Sequence, residues 1–372
     1  MNDLEPILDL WRTLRAAGKD YVLATIVSVD GPSYRKPGAC MLLSPDGRRT
    51  GTVSGGCLEA EVAQRAWWLT ESGPTIESYS TVADEGELPS GSGCGGVVHL
   101  LLERAKTAEP VLAALSEAFQ ARAPLAVATV LDGPQMGLRA VAPASTENSA
   151  DAALATAAEK AYERRAGTSS MFCLESGPAR VWTSYHPART GLWVFSAGDD
   201  AKPLVNMARE LGWWVAVADG RGHLGTPARF PSAHWIRVLP IADLPRSAPA
   251  HFQLLAGDTA VIMTHSFEQD SHILASLLAA PVRPGYIGVL GPQRRTRELL
   301  TEAARLLGMH ASDELADTWL GTLHAPTGLE LQADTPAAIA LSILAEIQKV
   351  ITNASAEPLR RVRAIAPGAL DS

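Results

Sequence analysis

Two cysteines of this chain sit where thiol chemistry is favoured. Cys57 lies in Ser54-Gly55-Gly56-Cys57-Leu58-Glu59, and Cys94 lies in Ser90-Gly91-Ser92-Gly93-Cys94-Gly95-Gly96. Glycine accepts positive φ and lets another group approach the backbone closely. Gly55, Gly56 and Gly95 therefore mark tight bends beside a sulfur. Cys57 also precedes an amphipathic run, Leu58-Glu-Ala-Glu-Val-Ala-Gln-Arg65, which reads as a helix. Unsatisfied N–H groups at a helix N-terminus stabilise a thiolate. Thiolates bind soft metals, so Cys57 and Cys94 are the candidate metal ligands. The competing reading is that each is a small packing residue. Cys40 and Cys173 lie in apolar, strand-like stretches and are expected in the core. Upstream, Gly31-Pro-Ser-Tyr-Arg35-Lys36-Pro-Gly38 places two cations in a rigid loop. The planar fork of Arg35 suits phosphates and oxyanions, and a solvated basic loop is the alternative.

A second group begins at Leu192-Trp-Val-Phe195, a strand followed by the turn Ser196-Ala-Gly198-Asp-Asp-Ala201 and a helix over 203–211. The turn resembles the dinucleotide fingerprint Gly-x-Gly-x-x-Gly. Gly198 holds its second glycine position, Ser196 replaces the first and Ala201 the third. Asp219 ends the next strand, where a ribose-binding acid belongs. Asp199 and Asp200 oppose a pyrophosphate, which seeks N–H donors without adjacent anions. The pattern thus argues for the fold and against bound NAD(P). His265, after the strand 259–263, offers an acid, base or ligand, or a cap. Arg294, beside Arg295 after the strand 286–290, offers a phosphate clamp or a surface arginine. Ligands of such sheets bind beyond the carboxyl ends of the strands, where these residues fall.

The elements that must position these residues fit a chain of 372 residues, long enough for two domains at about 150 residues each. Hydrophobic residues make up 47% and charged residues 19%, an ordinary globular balance. The 32 Lys and Arg against 40 Asp and Glu give −8, which excludes a duplex-binding surface of the usual basic kind. Small basic sites remain compatible with that balance. The start, Met1-Asn-Asp-Leu-Glu5, lacks the basic and apolar regions of a signal peptide. No apolar run approaches the ~20 residues of a membrane span, so no membrane contact is indicated. The expected location is the cytoplasm, with thiols reduced. The four cysteines lack the paired spacing of a structural zinc site.

Helical spacing runs over 4–18, and 21–29 reads as a buried strand. A strand pair at 40–44 and 51–54 flanks the turn Pro45-Asp46-Gly47. Further helices are expected over 57–70, 109–120 and 151–164, and strands over 97–103, 125–131, 170–174 and 179–184. Residues 144–151 read as an exposed loop. This irregular mixture predicts an α+β domain over 1–186. Strand and helix then alternate, which predicts a Rossmann-like doubly wound parallel sheet over 187–352 and an α/β class for the whole. Residues 353–372 read as a tail.

Several ordered segments resemble the XdhC/CoxI family. In the first half they are Gly31-Pro-Ser-Tyr-Arg-Lys-Pro-Gly-Ala39, Gly51-Thr-Val-Ser-Gly-Gly-Cys-Leu-Glu59 and Gly93-Cys-Gly-Gly96. In the second half they are Ser196-Ala-Gly-Asp-Asp-Ala-Lys-Pro-Leu-Val205, Leu211-Gly-Trp-Trp-Val-Ala-Val-Ala-Asp-Gly-Arg221, Thr264-His-Ser-Phe-Glu-Gln-Asp270, Tyr286-Ile-Gly-Val-Leu-Gly291 and Ala325-Pro-Thr-Gly-Leu329. The resemblance implies a maturation factor that binds molybdenum cofactor (molybdopterin), holds it during sulfuration and delivers it to a xanthine-dehydrogenase-type enzyme. It implies a non-catalytic insertion chaperone, a client enzyme and a cysteine-desulfurase-type sulfur donor as partners, and a homodimer. It carries a cofactor-handling role to Cys57 and Cys94, with Arg35 in support. Ser196 departs from the glycine that relatives have there. Two other readings are an NAD(P)-dependent oxidoreductase and a docking module anchored by Trp67-Trp68 and Trp213-Trp214.

Overall fold

The structure is a computed structural model that describes residues 4–56, 58–80, 96–143, 151–246 and 248–362. Its internal contacts divide the chain into two units, Met1–Arg189 and Thr190–Ser372.

The first unit contains α1 (Leu4–Ala16), β1 (Val22–Asp30), β2 (Cys40–Leu43), β3 (Arg49–Gly51), α2 (Glu59–Leu69), β4 (Thr75–Ser80), β5 (Val97–Arg104), α3 (Ala105–Ala121), β6 (Leu125–Val130), β7 (Arg139–Ala142), α4 (Ala152–Arg164), β8 (Ser169–Leu174) and β9 (Gly177–His186). Two antiparallel sheets form, in the orders β3-β2-β1-β5-β4 and β7-β6-β9-β8. Alternation along β1 sends Val22, Ala24 and Ile26 against Val62 and Ala66 of α2. Leu23 goes to the opposite face, into a cluster with Ile7, Leu8 and Trp11 of α1 and Leu112 of α3. β6 sends Leu125 and Val127 to that same cluster, while Ala126, Ala128 and Val130 pack on Leu154 and Ala158 of α4. One face of each sheet thus looks at the other. Val27, Leu101, Leu131 and Trp182 join them at a further cluster. The β1–β5 register shifts between Ile26 and Ser28, and such a bulge re-aims the residues that follow it.

Three features depart from the sequence reading. β4 carries a single buried residue, Tyr79, and β7 has four residues, so neither presents the apolar run that marks a strand. α3 begins at Ala105 and contains Pro110, which sequence reasoning places at a helix start. Cys173 is exposed because β8 is an edge strand with only Leu174 buried.

The second unit contains β10 (Gly191–Phe195), α5 (Ala201–Glu210), β11 (Trp214–Asp219), β12 (Trp235–Val238), a 3-10 turn (Ile241–Asp243), α6 (Ala248–His251), β13 (Thr259–Ile262), α7 (Phe267–Leu278), β14 (Tyr286–Val289), α8 (Gln293–Leu306), α9 (Asp313–Leu320), α10 (Pro336–Thr352) and α11 (Leu359–Val362). The strands are parallel in the order β12-β11-β10-β13-β14. α7, α8 and α9 cover one face of this sheet and α5 and α10 the other. Burial on both faces explains the nearly continuous apolar runs of β10, β11 and β13. The order reverses between β10 and β13, the place where doubly wound sheets open a crevice. No described helix is long and apolar enough to cross a membrane.

Candidate functional site

The loop joining β1 to β2 is the centre of the first unit's candidate site. The Gly55 turn lies against it: a Cβ on Gly55 would stand 4.0 Å from Cδ1 of Tyr34. The chain at Gly96 crosses its start so closely that a Cβ there would overlap the Pro32 carbonyl oxygen and meet the Asp30 oxygen at 2.8 Å. The described flanks of both cysteine segments therefore adjoin one loop. Cys57, Cys94 and Gly95 themselves lie outside the described residues.

Local hydrogen bonds explain the Ser-Gly-Gly-Cys-Leu-Glu pattern. The Ser54 hydroxyl accepts the N–H groups of Gly56 and Leu58, each at 3.1 Å. It donates to Glu59 at 2.6 Å, and the Glu59 carboxylate also accepts the Ser54 N–H at 2.9 Å. Burial would raise the Glu59 carboxyl, but the Ser54 hydroxyl and the backbone N–H groups hold it below the usual carboxylate range. Gly56 has φ +112°, open to glycine and strained for other residues. Serine and glutamate brace the turn at the start of α2, a role the sequence reading did not give them. At the other flank, His99 bridges Asp30 at 2.9 Å and Ser78 at 2.8 Å, fixing the end of β1.

Beside this loop, between the two sheets, lies a cavity of about 830 Å³. Tyr34, Arg35, Lys36, Thr129, Arg139 and Trp182 are among the residues that line it. Its charged lining is entirely cationic: Arg35, Lys36 and Arg139, with no Asp or Glu among the described lining residues. His186 also lines it, and burial pushes its imidazole down to about 4, so the ring is neutral at pH 7. The Ser184 hydroxyl stands 3.0 Å from His186 Nε2. Arg139 is held by Glu103 of β5, which is fully buried. Cys40, expected in the core, is half-buried at the wall, because it opens β2 where the strand leaves the loop. Sequence reasoning missed Arg139 and Glu103. The available signal was a single acid and a single base within apolar strands, since such charges survive burial only when paired. No group of three or more His, Cys, Asp or Glu side chains suited to a metal occurs among the described residues.

In the second unit, Gly198, Asp200 and His265 flank the reversal of strand order. His265 has φ +62° and its Nε2 lies 2.6 Å from Asp200 Oδ2. A non-glycine residue held in that region stores strain of a kind that clusters at functional sites. A Cβ on Gly198 would meet the Asp200 carboxylate, so a larger residue here would require the Asp200 side chain to shift. Asp219 is fully buried and engaged by its own chain. It accepts the Ala197 N–H at 2.6 Å and two Arg221 bonds at 2.9 and 2.7 Å, so a ribose contact would have to exchange them. The Gly198 N–H is likewise donated to Ser196 Oγ at 3.1 Å. Arg294 does not reach this region: its side chain is 91% exposed and pairs with Glu298 one turn along α8. Arg295 turns inward instead, to Asp270 at 2.8 Å. The i,i+1 geometry of a helix sends neighbouring side chains to different faces. Asp199 is neutralised by Lys202 at 2.7 Å and Arg229 at 2.9 Å, which hold its carboxyl below the usual range. Of the paired tryptophans, Trp213 is buried and Trp67 lies under the Arg104 guanidinium at 4.6 Å, while Trp68 is exposed.

Comparison with known proteins adds to this geometry. Residues 14–80 match the model of the XdhC and CoxI family, and residues 192–347 match the XdhC Rossmann domain. A Bacillus subtilis (strain 168) protein described as a probable xanthine dehydrogenase subunit is 30% identical over 88% of this chain and 92% of its own length. The molybdenum cofactor insertion chaperone PaoD of Escherichia coli (strain K12) is 27% identical over 90% of this chain and 84% of its own. The crystal structure of a xanthine dehydrogenase from Bacillus halodurans superposes with a TM-score of 0.70 at 29% identity, covering 97% of this chain and 98% of that one.

Proposed function

This chain belongs to the XdhC and CoxI family, and from that premise we propose that it binds molybdenum cofactor and delivers it to a xanthine-dehydrogenase-type molybdenum hydroxylase. The cofactor is cargo, and the chain acts as an insertion chaperone without turnover chemistry of its own. One observation carries the reading: the flanks of both cysteine segments abut the Asp30–Lys36 loop, whose cations wall a cavity large enough for a pterin. The residues present fit such a group, because the hydroxyl-bearing Thr129 and Ser184 and the cations Arg35 and Lys36 suit a planar polar heterocycle carrying a phosphate. Cys57 and Cys94 supply soft thiolates toward molybdenum, and Arg35 takes the phosphate. A cysteine-desulfurase-type sulfur donor, a homodimeric state and a cytoplasmic location complete the proposal.

The test is retention of molybdopterin by the purified full chain through gel filtration, followed by activation of a molybdenum-free client. Cys57→Ala and Cys94→Ala are expected to lower both readouts. A wild-type chain that retains no molybdopterin refutes the proposal. The parallel sheet order favours a second reading, an NAD(P)-dependent oxidoreductase. The Ala197 and Gly198 N–H groups, which a pyrophosphate would need, are already donated within the chain, and this weighs against it. Absence of NADH binding at millimolar cofactor ends that reading.

A further inference from the structure

We propose that the cavity between the two antiparallel sheets is the seat of the cargo's pterin, with Arg139 and Thr129 at its inner wall and Arg35 and Lys36 at the phosphate end. This assignment rests on the chaperone reading and is argued from residues other than Cys57 and Cys94. Four observations carry it. The cavity, at about 830 Å³, lies within the range of small-molecule sites. With Arg139 paired to Glu103, the remaining charged lining residues are Arg35 and Lys36, and their charge favours an anionic ligand. Arg139 has a side chain only 7% exposed, and its Nε–H has no acceptor among the described residues, although Glu103, Thr107 and Gly137 engage the terminal nitrogens. A buried donor left without a partner points to a group that the site receives. Thr129, 1% exposed, presents a hydroxyl-bearing side chain to the same cavity.

The chemistry matches a fused, flat heterocycle with donors and acceptors along one edge and a phosphate monoester at the other end. Neutral His186 and Ser184 add a donor–acceptor pair at the wall, and the buried Trp182 lines the cavity as part of an apolar cluster with Val27 and Leu101. The guanidinium of Arg139 is fixed in place by Glu103, so no rotamer freedom is lost when the ligand arrives. Arg139 here positions the ring through hydrogen bonds, while Arg35 contributes charge at the mouth.

The experiment is equilibrium dialysis of the full chain with three probes: molybdopterin, 6-hydroxymethylpterin monophosphate and unphosphorylated 6-hydroxymethylpterin. Thr129→Val preserves shape and is expected to weaken all three about three- to tenfold. Arg35→Ala is expected to weaken the two phosphorylated probes about tenfold and to leave the unphosphorylated pterin unchanged. The double variant Glu103→Leu/Arg139→Met removes the inner-wall donor together with its counter-charge, and is expected to weaken all three tenfold or more. Cooperative thermal unfolding of each variant confirms that it folds, and Thr129→Val alone decides the matter if the double variant does not. Wild-type binding of molybdopterin with unchanged affinity in Thr129→Val and in the double variant overturns the cavity as the seat and leaves the chaperone reading standing. Equal competition by AMP overturns the pterin class. A wild-type chain that retains no molybdopterin overturns the chaperone reading itself.

Discussion

Replacing Glu103 by leucine removes the carboxylate that joins β5 of one sheet to β7 of the other. Glu103 is fully buried and the Arg139 side chain is 7% exposed, so the stranded guanidinium has little access to water. Breaking a buried pair from one side costs about 3–5 kcal/mol, because the remaining charge stays uncompensated. Arg139 Nη1 also donates to the Thr107 and Gly137 carbonyls at 3.0 and 2.9 Å, so part of its solvation survives. The lower end, about 3 kcal/mol, is therefore expected. At a urea m-value near 2 kcal/mol/M, that is a midpoint lowered by about 1.5 M. The double variant Glu103→Leu/Arg139→Met should return to within about 1 kcal/mol of wild type, since apolar replacement of a buried pair is often neutral. Urea unfolding of the full chain at pH 7, followed by circular dichroism, measures both. A single variant that loses less than about 1 kcal/mol, or a double variant no more stable than the single, refutes the view that an uncompensated charge sets the cost.

Glu59→Gln should destabilise the turn before α2 by about 1.5–3 kcal/mol, the range for hydrogen bonds to a charged acceptor, read as a lowered urea midpoint. His186 has a folded pKa of about 4 against 6.5. Its contribution is thus full above pH 6.5 and is lost as pH falls toward 4, so His186→Gln should flatten stability over that window in urea titrations at stepped pH. Gly96→Ala should cost about 1–3 kcal/mol by overpacking against Pro32 and Asp30, and should also lower molybdopterin retention; unchanged melting would argue against the close crossing. Asp151 caps α4 by accepting the Ala153 and Leu154 N–H groups at 2.9 and 3.1 Å, so Asp151→Ala should cost about 1–2 kcal/mol in thermal unfolding.

Much of the second unit was legible in the residues. Apolar runs such as Gly191–Phe195 and Trp214–Asp219, each followed by a turn and an amphipathic helix or a new strand, encode a parallel sheet buried on both faces. The first unit was harder. β4 and β7 have weak patterns because one is largely exposed and the other is short, and their strand state depends on pairing with β5 and β6. At the candidate sites, residue type indicated which groups suit the chemistry but not what they face. Arg294 and Arg295 are neighbours of one type, and only helix phase sends the second inward to Asp270. Asp219 stands where a ribose acid belongs, yet the fold commits its oxygens to Arg221 and Ala197.

By itself the sequence determined the local terms: glycine turns beside sulfur, cations in the Gly31–Gly38 loop, and the alternation of the second half. Those follow from backbone freedom and hydrophobic periodicity over short spans. Tertiary structure alone decided that Glu103 and Arg139, 36 positions apart, pair across two sheets, and that a cationic cavity opens between them. Facing surfaces of separate sheets are set by how all their side chains pack together, and no short window of sequence carries that information.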